Sequence, residues 1–352
     1  MFHVLIVMPK IRLLRAMKCK TLLVAIAIFL SSCIKDDRKW VETKFPNVNL
    51  QSILWANNQF VAGGLDKTKN FISLTSSDGV SWIKHPTLIP CNYVNMSWLN
   101  NQYVVYCASN INNLVSLLIS IDGVSWVQII PMVIMGNMAA ITWDGTKYIT
   151  GNDSPGILSY SYDLVNWSTI ITDKKSEIFL TVYFVNSKYF AHVGNIKTDI
   201  TNIYRSNDGI NWQNIPLLQG VGESGILFDG TEYILFGNNG GIYTSPDGEN
   251  WTDHSVFMGP IFDHAAHSVS KDYIFIPRVN ARSSMEIWST PDFWSWKQYI
   301  YRQEVSHLDL QDYDRFMGGV ATNGSVYVVV GYEGKNWTQS GGGYTGVILT
   351  SP

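Results

Sequence analysis

Past its first twenty residues the chain has no run of basic residues, and only 15% of its 352 residues are charged, for a formal net charge of −3. No electrostatic footprint for a nucleic acid is present, since that recognition needs clustered positive charge. DNA and RNA are therefore excluded as partners. Arginine is scarce, with only six after residue 33, and cysteine numbers four in the whole chain. What is abundant is apolar surface, at 46% of residues. That composition is globular, and the length exceeds that of an ordinary single layered domain unless the chain is built from repeats.

The N-terminus reads as an address. Lys18 and Lys20 precede the apolar run LLVAIAIFL at 22–30, which is too short for a membrane helix, needing about 20 residues, but suits the core of a signal peptide. The run ends in Leu30-Ser31-Ser32-Cys33, which resembles the lipobox of bacterial lipoproteins, whose cysteine receives a diacylglycerol and becomes residue one after cleavage. The resemblance implies a signal peptide over 1–32, a lipid anchor on Cys33, a tether over 33–39 and attachment to the outer membrane, at the cell surface or on the periplasmic side. Met17 opens a signal of ordinary size, so residues 1–16 read as an over-long start or as an extended basic leader. Ile34-Lys35-Asp36-Asp37 is similar to the surface-export signal of Bacteroidota lipoproteins, and equally fits a solvated tether.

Cys91 and Cys107 remain, both in one predicted hairpin but offset rather than directly opposed. In an oxidising compartment they either pair or stay as thiols.

The fold is carried by a heptapeptide. SSDGVSW at 76–82 recurs as SIDGVSW, SYDLVNW, SNDGINW, SPDGENW and TPDFWSW, always with Asp four residues before Trp. The pairs are Asp78/Trp82, Asp122/Trp126, Asp163/Trp167, Asp208/Trp212, Asp247/Trp251 and Asp292/Trp296, and the tryptophans are spaced by 44, 41, 45, 39 and 45 residues. This is the length of a four-stranded propeller blade. Between the copies lie apolar, β-rich pairs of runs around Asn-Asn, Asp-Gly or Asn-Gly, each a predicted hairpin. Seven hairpins face six heptapeptides. Asp36 and Trp40 near the start supply the missing pair, and the last residues, GVILTSP, stop where a heptapeptide is due. The expected fold is all-β over 40–352: a seven-bladed β-propeller of four-stranded antiparallel blades, closed by pairing of N- and C-terminal strands.

The heptapeptides resemble the Asp-box, or BNR, repeats of sialidase-like propellers. Here Gly directly follows Asp, one residue earlier than in that family, and Asp163 and Asp292 lack the glycine. The resemblance assigns these residues to structure. The carboxylate accepts backbone N–H groups across a tight loop, Gly supplies a positive φ, and Trp wedges between sheets. A fully buried indole contributes roughly 4–6 kcal/mol as an upper bound, at ~25 cal/mol/Å².

Loop lengths point to a binding face. The distance from heptapeptide Trp to the next inner strand is 15–18 residues in six cases and 26 in the last, Trp296 to Thr322. The insertion at 301–316 and the stretch at 332–346 are expected to project from one face. Arg278, Arg282, Arg302 and Arg315 map to that sector, beside Asp263 and His264, and with Asp312 and Asp314 on the insertion. They form either an anion-gripping site or ion pairs on solvated loops. Asn49, Asn92 and Asn137 are candidates for the channel entrance. The two histidines of DHAAH at 263–267 fall on opposite sides of a strand, so no shared metal is expected. No cofactor is implied.

A sialidase needs, by resemblance, three arginines from different blades, a Tyr-Glu nucleophile pair, an Asp acid, an Arg-Ile-Pro motif and six blades. This sequence has no Arg-Ile-Pro, and its first five blades hold only Arg38 and Arg205. The expected function is a membrane-anchored binding or scaffolding module for a glycan or protein ligand, with no catalytic residue assigned. Glycoside hydrolysis and a role like that of the Asp-box assembly factor of photosystem II are the alternatives.

Overall fold

The computed structural model describes residues 34–35, 38–108, 115–131, 141–152, 154–195, 201–218, 223–237, 241–254, 262–266, 272–277, 285–302, 313–335 and 343–351. They form seven sheets, antiparallel but for one short added strand, with one short 3-10 turn at Pro216–Leu218 as the only helical element among them. Blades 1 to 6 are sequential four-stranded meanders over 48–90, 93–129, 142–171, 177–214, 223–253 and 262–302. Blade 7 takes three strands from the C-terminal end, Tyr313–Thr322, Tyr327–Lys335 and Gly343–Ser351, and its outer strand, Val41–Pro46, from near the N-terminal end. Val41 stands opposite Thr350 and Pro46 opposite Thr345.

Each strand's sequence reflects its place. Second strands are flanked by neighbouring blades on both faces, so Tyr233–Gly237 and Tyr273–Pro277 are buried at every residue. Outer strands keep one face in water, and Ile83–Pro90 alternates exposed with half-buried positions. The hairpins between first and second strands use two turn chemistries. Asn57-Asn58, Asn100-Asn101 and Asn186-Ser187 all take positive φ, between 44° and 62°, as two-residue turns of the twist-matched kind require. At Asp144 and Asp229 the carboxylate instead accepts the N–H groups two and three residues on.

Seven apolar clusters fill the seven seams between adjacent blades. Closure is direct, because Val48, Ile53 and Phe60 of blade 1 pack with Ala321, Val328 and Ile348 of blade 7. Ring closure packs the facing sides of blades 1 and 7 against each other, where an open array would leave both in water.

One segment departs from expectation. Ile34 and Lys35, expected within a tether, pair in parallel with Lys297 and Gln298 as a fifth strand on blade 6. The outer strand of blade 6 otherwise presents unpaired N–H and C=O groups along its edge, and this short segment satisfies some of them.

Each blade therefore places two turns, first-to-second and third-to-outer strand, on one face of the ring, here the turn face. The remaining connections lie on the opposite loop face.

Candidate functional site

The heptapeptides occupy the turn face, each joining a third strand to an outer one. In the first copy Asp78 Oδ1 accepts the N–H groups of Val80 and Ser81, each at 2.8 Å, and the Ser76 hydroxyl at 2.9 Å. Ser76 Oγ in turn accepts the Gly79 N–H. The same network recurs at Asp122, Asp163, Asp208, Asp247 and Asp292. The N–H groups of Ser81 and Val80 hold the Asp78 carboxyl at about 2. At Asp163, Asp208 and Asp247 an Asn three residues on adds backbone and side-chain N–H bonds, and these carboxyls lie well below the usual range. Burial pushes Asp122 and Asp292 up, and the N–H bonds of their turns outweigh it. All six are ionised at neutral pH, and in each Oδ1 is engaged by the N–H groups of its own loop, as a structural role requires.

The residue after Asp has φ between 62° and 76° in all six turns, and this includes Leu164 and Phe293, where no glycine is present. Both side chains are buried in the seam with the preceding blade. Packing thus offsets the left-handed backbone that glycine accepts freely. The tryptophans occupy the seams as well. Trp82, Trp126, Trp167, Trp212, Trp251, Trp296 and Trp40 each join the cluster between their own blade and the one before. Trp212 and Trp296 are almost fully buried, at 2% and 1% exposure, and the other five are only partly so. The full burial energy therefore applies at two seams. Asp36 lies outside the described residues.

A second set of ties was missed in the sequence. The second strands of blades 2 to 7 carry Tyr103, Tyr148, Tyr189, Tyr233, Tyr273 and Tyr327 at equivalent positions, all buried. Five hydroxyls donate to the blade before: Tyr103 to Ala56 O, Tyr189 to Asp144 Oδ2, Tyr233 to Asn186 O, Tyr273 to Asp229 Oδ2 and Tyr327 to Asp272 O. Tyr148 accepts instead, from Asn100 and Gln102. Burial and the Asp144 and Asp229 carboxylates push Tyr189 and Tyr273 far above the ordinary tyrosine value. The signal was legible as a charged or amide residue before Tyr in five of the six hairpins, as in QY, KY, EY and DY, with Val326 before Tyr327 the exception.

The loop face holds the residues with binding potential. The three inner strands of blade 7 run to this face with 10, 9 and 9 residues, against 9, 8 and 7 for the equivalent strands of blade 1. Both ends of each stretch expected to project, 301–316 and 332–346, are strand. Tyr301 and Arg302 complete the outer strand of blade 6, and Tyr313 to Phe316 pair with Lys335 to Tyr332 in blade 7. The aromatic residues in both runs favour continuing the ladder. Residues 303–312 and 336–342 lie outside the described residues.

The loop-face end of blade 7 carries two clusters. Tyr332 lies 5.4 Å from Phe316 and 4.8 Å from Tyr344 between ring centroids, with Phe316 and Tyr332 half-buried and Tyr344 buried. Near them Lys44 Nζ sits 3.0 Å from Glu42 and 3.7 Å from Glu333, and the Tyr301 hydroxyl donates to Glu42. Of the expected anion site, the backbone places Arg302 opposite Met285 and Arg315 opposite Glu333, both toward the loop face. Asp314 pairs with Gly334, Asp263 is the bulged residue of its strand, and His264 stands opposite Ile276. The side chains of these five, and all of Arg278, Arg282 and Asp312, lie outside the described residues. Asn49 is buried and accepts a bond from Gln51, whose Oε1 takes the Val94 N–H of blade 2. It ties two blades and does not line the channel entrance. Asn137 lies outside the described residues.

Cys91 and Cys107 are joined, with 5.4 Å between their Cα atoms, at the loop-face end of blade 2. Toward the turn face the central channel holds a cavity of about 550 Å³, whose lining mixes Trp55, Phe228, Ala265 and Ala321 with Asp229 and Thr322. Among the described residues no group of three or more His, Cys, Asp or Glu is arranged to hold a metal ion.

No family model matches the chain, and no curated protein matches it in sequence. Solved structures do. The ring is similar to YCF48 bound to a D1 peptide, with a TM-score of 0.58 and 14% identity over 91% of this chain and 99% of that one. It is also similar to virginiamycin B lyase from Staphylococcus aureus, with a TM-score of 0.55 and 10% identity over 89% of this chain and 100% of that one. These likenesses establish the propeller fold. Half-exposed aromatic rings, a salt-bridged lysine and adjacent arginine positions on one rim are equipped for stacking and for charge-assisted hydrogen bonding.

Proposed function

We propose that this protein is an outer-membrane lipoprotein anchored through Cys33, and that its propeller, of the Asp-box (BNR) kind, is a binding module for a protein segment or glycan. The ligand surface is the loop-face rim of blades 6 and 7. The observation that carries the reading is the aromatic cluster at the loop-face end of blade 7, where Phe316, Tyr332 and Tyr344 stand on adjacent strands with their rings in contact. The likeness to a structure solved with a bound peptide supports a protein segment as the first ligand class to test.

The test uses residues 34–352 on peptide and glycan arrays, with turnover of fluorogenic glycosides measured in parallel. Saturable binding weakened at least several-fold by Tyr332→Ala, Arg302→Ala or Arg315→Ala, without turnover, is the expected result. Hydrolysis abolished by a carboxylate substitution overturns the binding reading in favour of an enzyme.

A further inference from the structure

The turn-face end of the channel is built on one repeated aromatic position. In blades 1 to 5 Trp55, Trp98, Trp143, Phe184 and Phe228 stand on the first strand opposite an aromatic residue of the second, as Trp55 does to Phe60 and Phe228 to Tyr233. Each ring lies 4.6–4.9 Å from its partner's, between centroids, and stays half-buried. Blade 7 breaks the series with Thr322, opposite Tyr327. Two residues further into the channel, blade 6 has Ala265 where blades 1 and 5 have Ile53 and Ile226. These two small side chains leave room beside the large ones, and Trp55 and Phe228 thereby border the cavity of about 550 Å³. Residue 267, the blade 6 counterpart of Trp55, lies outside the described residues. Small-molecule sites have volumes of about 300–1,000 Å³ and linings of this kind, apolar and aromatic with few polar groups.

The charge of the lining has one sign, since Asp229 is its only ionisable residue. The turn Asp229-Gly230-Thr231-Glu232 matches Asp144-Gly145-Thr146-Lys147 of blade 3 except at its last residue. In blade 3 that residue neutralises the aspartate, with Lys147 Nζ 2.7 Å from Asp144 Oδ2. In blade 5 it adds a second carboxylate, and the ion pairs among the described residues include neither Asp229 nor Glu232. Burial pushes the Asp229 carboxyl up, but the Tyr273 hydroxyl and the Glu232 and Thr231 N–H groups outweigh it and hold the group at about 2. Its Oδ1 accepts three bonds from Thr231 and Glu232, and its Oδ2 accepts the Tyr273 hydroxyl. What the carboxylate has left to offer is its charge. A quaternary ammonium asks for charge and for no hydrogen bond, and aromatic ring faces attract it.

We infer that this cavity binds a small quaternary ammonium ion with an apolar body, its methyl groups against Trp55 and Phe228 and its charge opposed by Asp229 and Glu232. The site is separate from the loop-face rim and does not depend on it. A neutral ligand of the same shape gains only the apolar contact, and an anion is repelled, so the cavity selects by charge.

The test is isothermal titration calorimetry of the full chain with benzyltrimethylammonium, benzyl alcohol and phenylacetate. Saturable binding of the cation is expected, at least tenfold tighter than that of benzyl alcohol, with no binding of phenylacetate. Trp55→Ala should weaken it at least fivefold. Glu232→Lys, which rebuilds the blade 3 turn and leaves the apolar lining intact, should do the same. Trp98→Ala, at the equivalent position away from the cavity, should change the affinity by less than twofold. Near-ultraviolet circular dichroism confirms the fold of each variant. No saturable binding of the cation, equal affinity for benzyl alcohol, an unchanged affinity in Glu232→Lys, or an equal loss in Trp98→Ala overturns the inference.

Discussion

Tyr189→Phe deletes one hydroxyl and keeps the ring that packs against Phe184 and Trp212. The lost bond runs 2.6 Å to Asp144 Oδ2, on a side chain only 3% exposed, which is left with Lys147 Nζ at 2.7 Å. A hydrogen bond to a charged group contributes about 1.5–3 kcal/mol net. At roughly 2.1 cal/mol/K of unfolding entropy per residue, a ring of about 310 residues loses 1 °C of Tm for each ~0.65 kcal/mol, so Tm should fall by about 2–5 °C. Tyr233→Phe is the internal control, because its hydroxyl donates to a neutral carbonyl, Asn186 O, at 3.0 Å. Its loss should cost about 0.5–1.5 kcal/mol, or about 1–2 °C. Thermal unfolding followed by near-ultraviolet circular dichroism compares the two, and a cycle with Asp144→Asn isolates the coupling. A Tyr189→Phe loss no larger than that of Tyr233→Phe, or a coupling indistinguishable from zero, refutes the claim that these tyrosines lock blade to blade.

The heptapeptide carboxyls have folded pKa values below the unfolded 3.8, with Asp78 at about 2. Their stabilisation is complete above pH ~4 and is lost as pH falls toward the folded values. Urea midpoints should therefore decline between pH 4 and 2, and a flat profile contradicts the network. Gly123→Ala and Gly145→Ala separate crowding from backbone strain, since both have positive φ, but a Cβ at 123 would fall 2.7 Å from Val61 Cγ2 and one at 145 meets nothing within 4 Å. The Gly145 change should cost about 1 kcal/mol and the Gly123 change distinctly more in chemical unfolding. Cys91→Ser opens a loop closed across a separation of 16 residues and should lower stability by about 3 kcal/mol, matched by reducing the parent protein. An equal midpoint for oxidised and reduced parent contradicts that assignment.

Blade number and strand order were legible because one seven-residue turn recurs and because its missing copy falls at the chain's start. What was not legible depends on contacts between blades. Leu164 and Phe293 look like defects in the turn pattern, and only the seam they fill explains their backbone. The tyrosine ties span more than 40 residues of sequence, as from Tyr189 to Asp144, so no local pattern announces their partners. The charged and aromatic residues at 313–316 and 332–335 read as loop, although each run pairs with the other once blade 7 forms. Ile34 and Lys35 read as linker for a similar reason, since their partner strand is some 260 residues away. The arginine sector was found from loop length, which locates a face and leaves its side-chain geometry undetermined.

A cysteine pair across the closing strands tests the ring itself. Lys44 stands opposite Val347, so Lys44→Cys/Val347→Cys in the otherwise unchanged protein should form a second disulfide under mild oxidation. That crosslink should raise Tm, by an amount reversed on reduction. A folded protein in which both introduced thiols stay free would show that the two ends of the chain do not share a sheet, and the closed seven-bladed ring would be wrong.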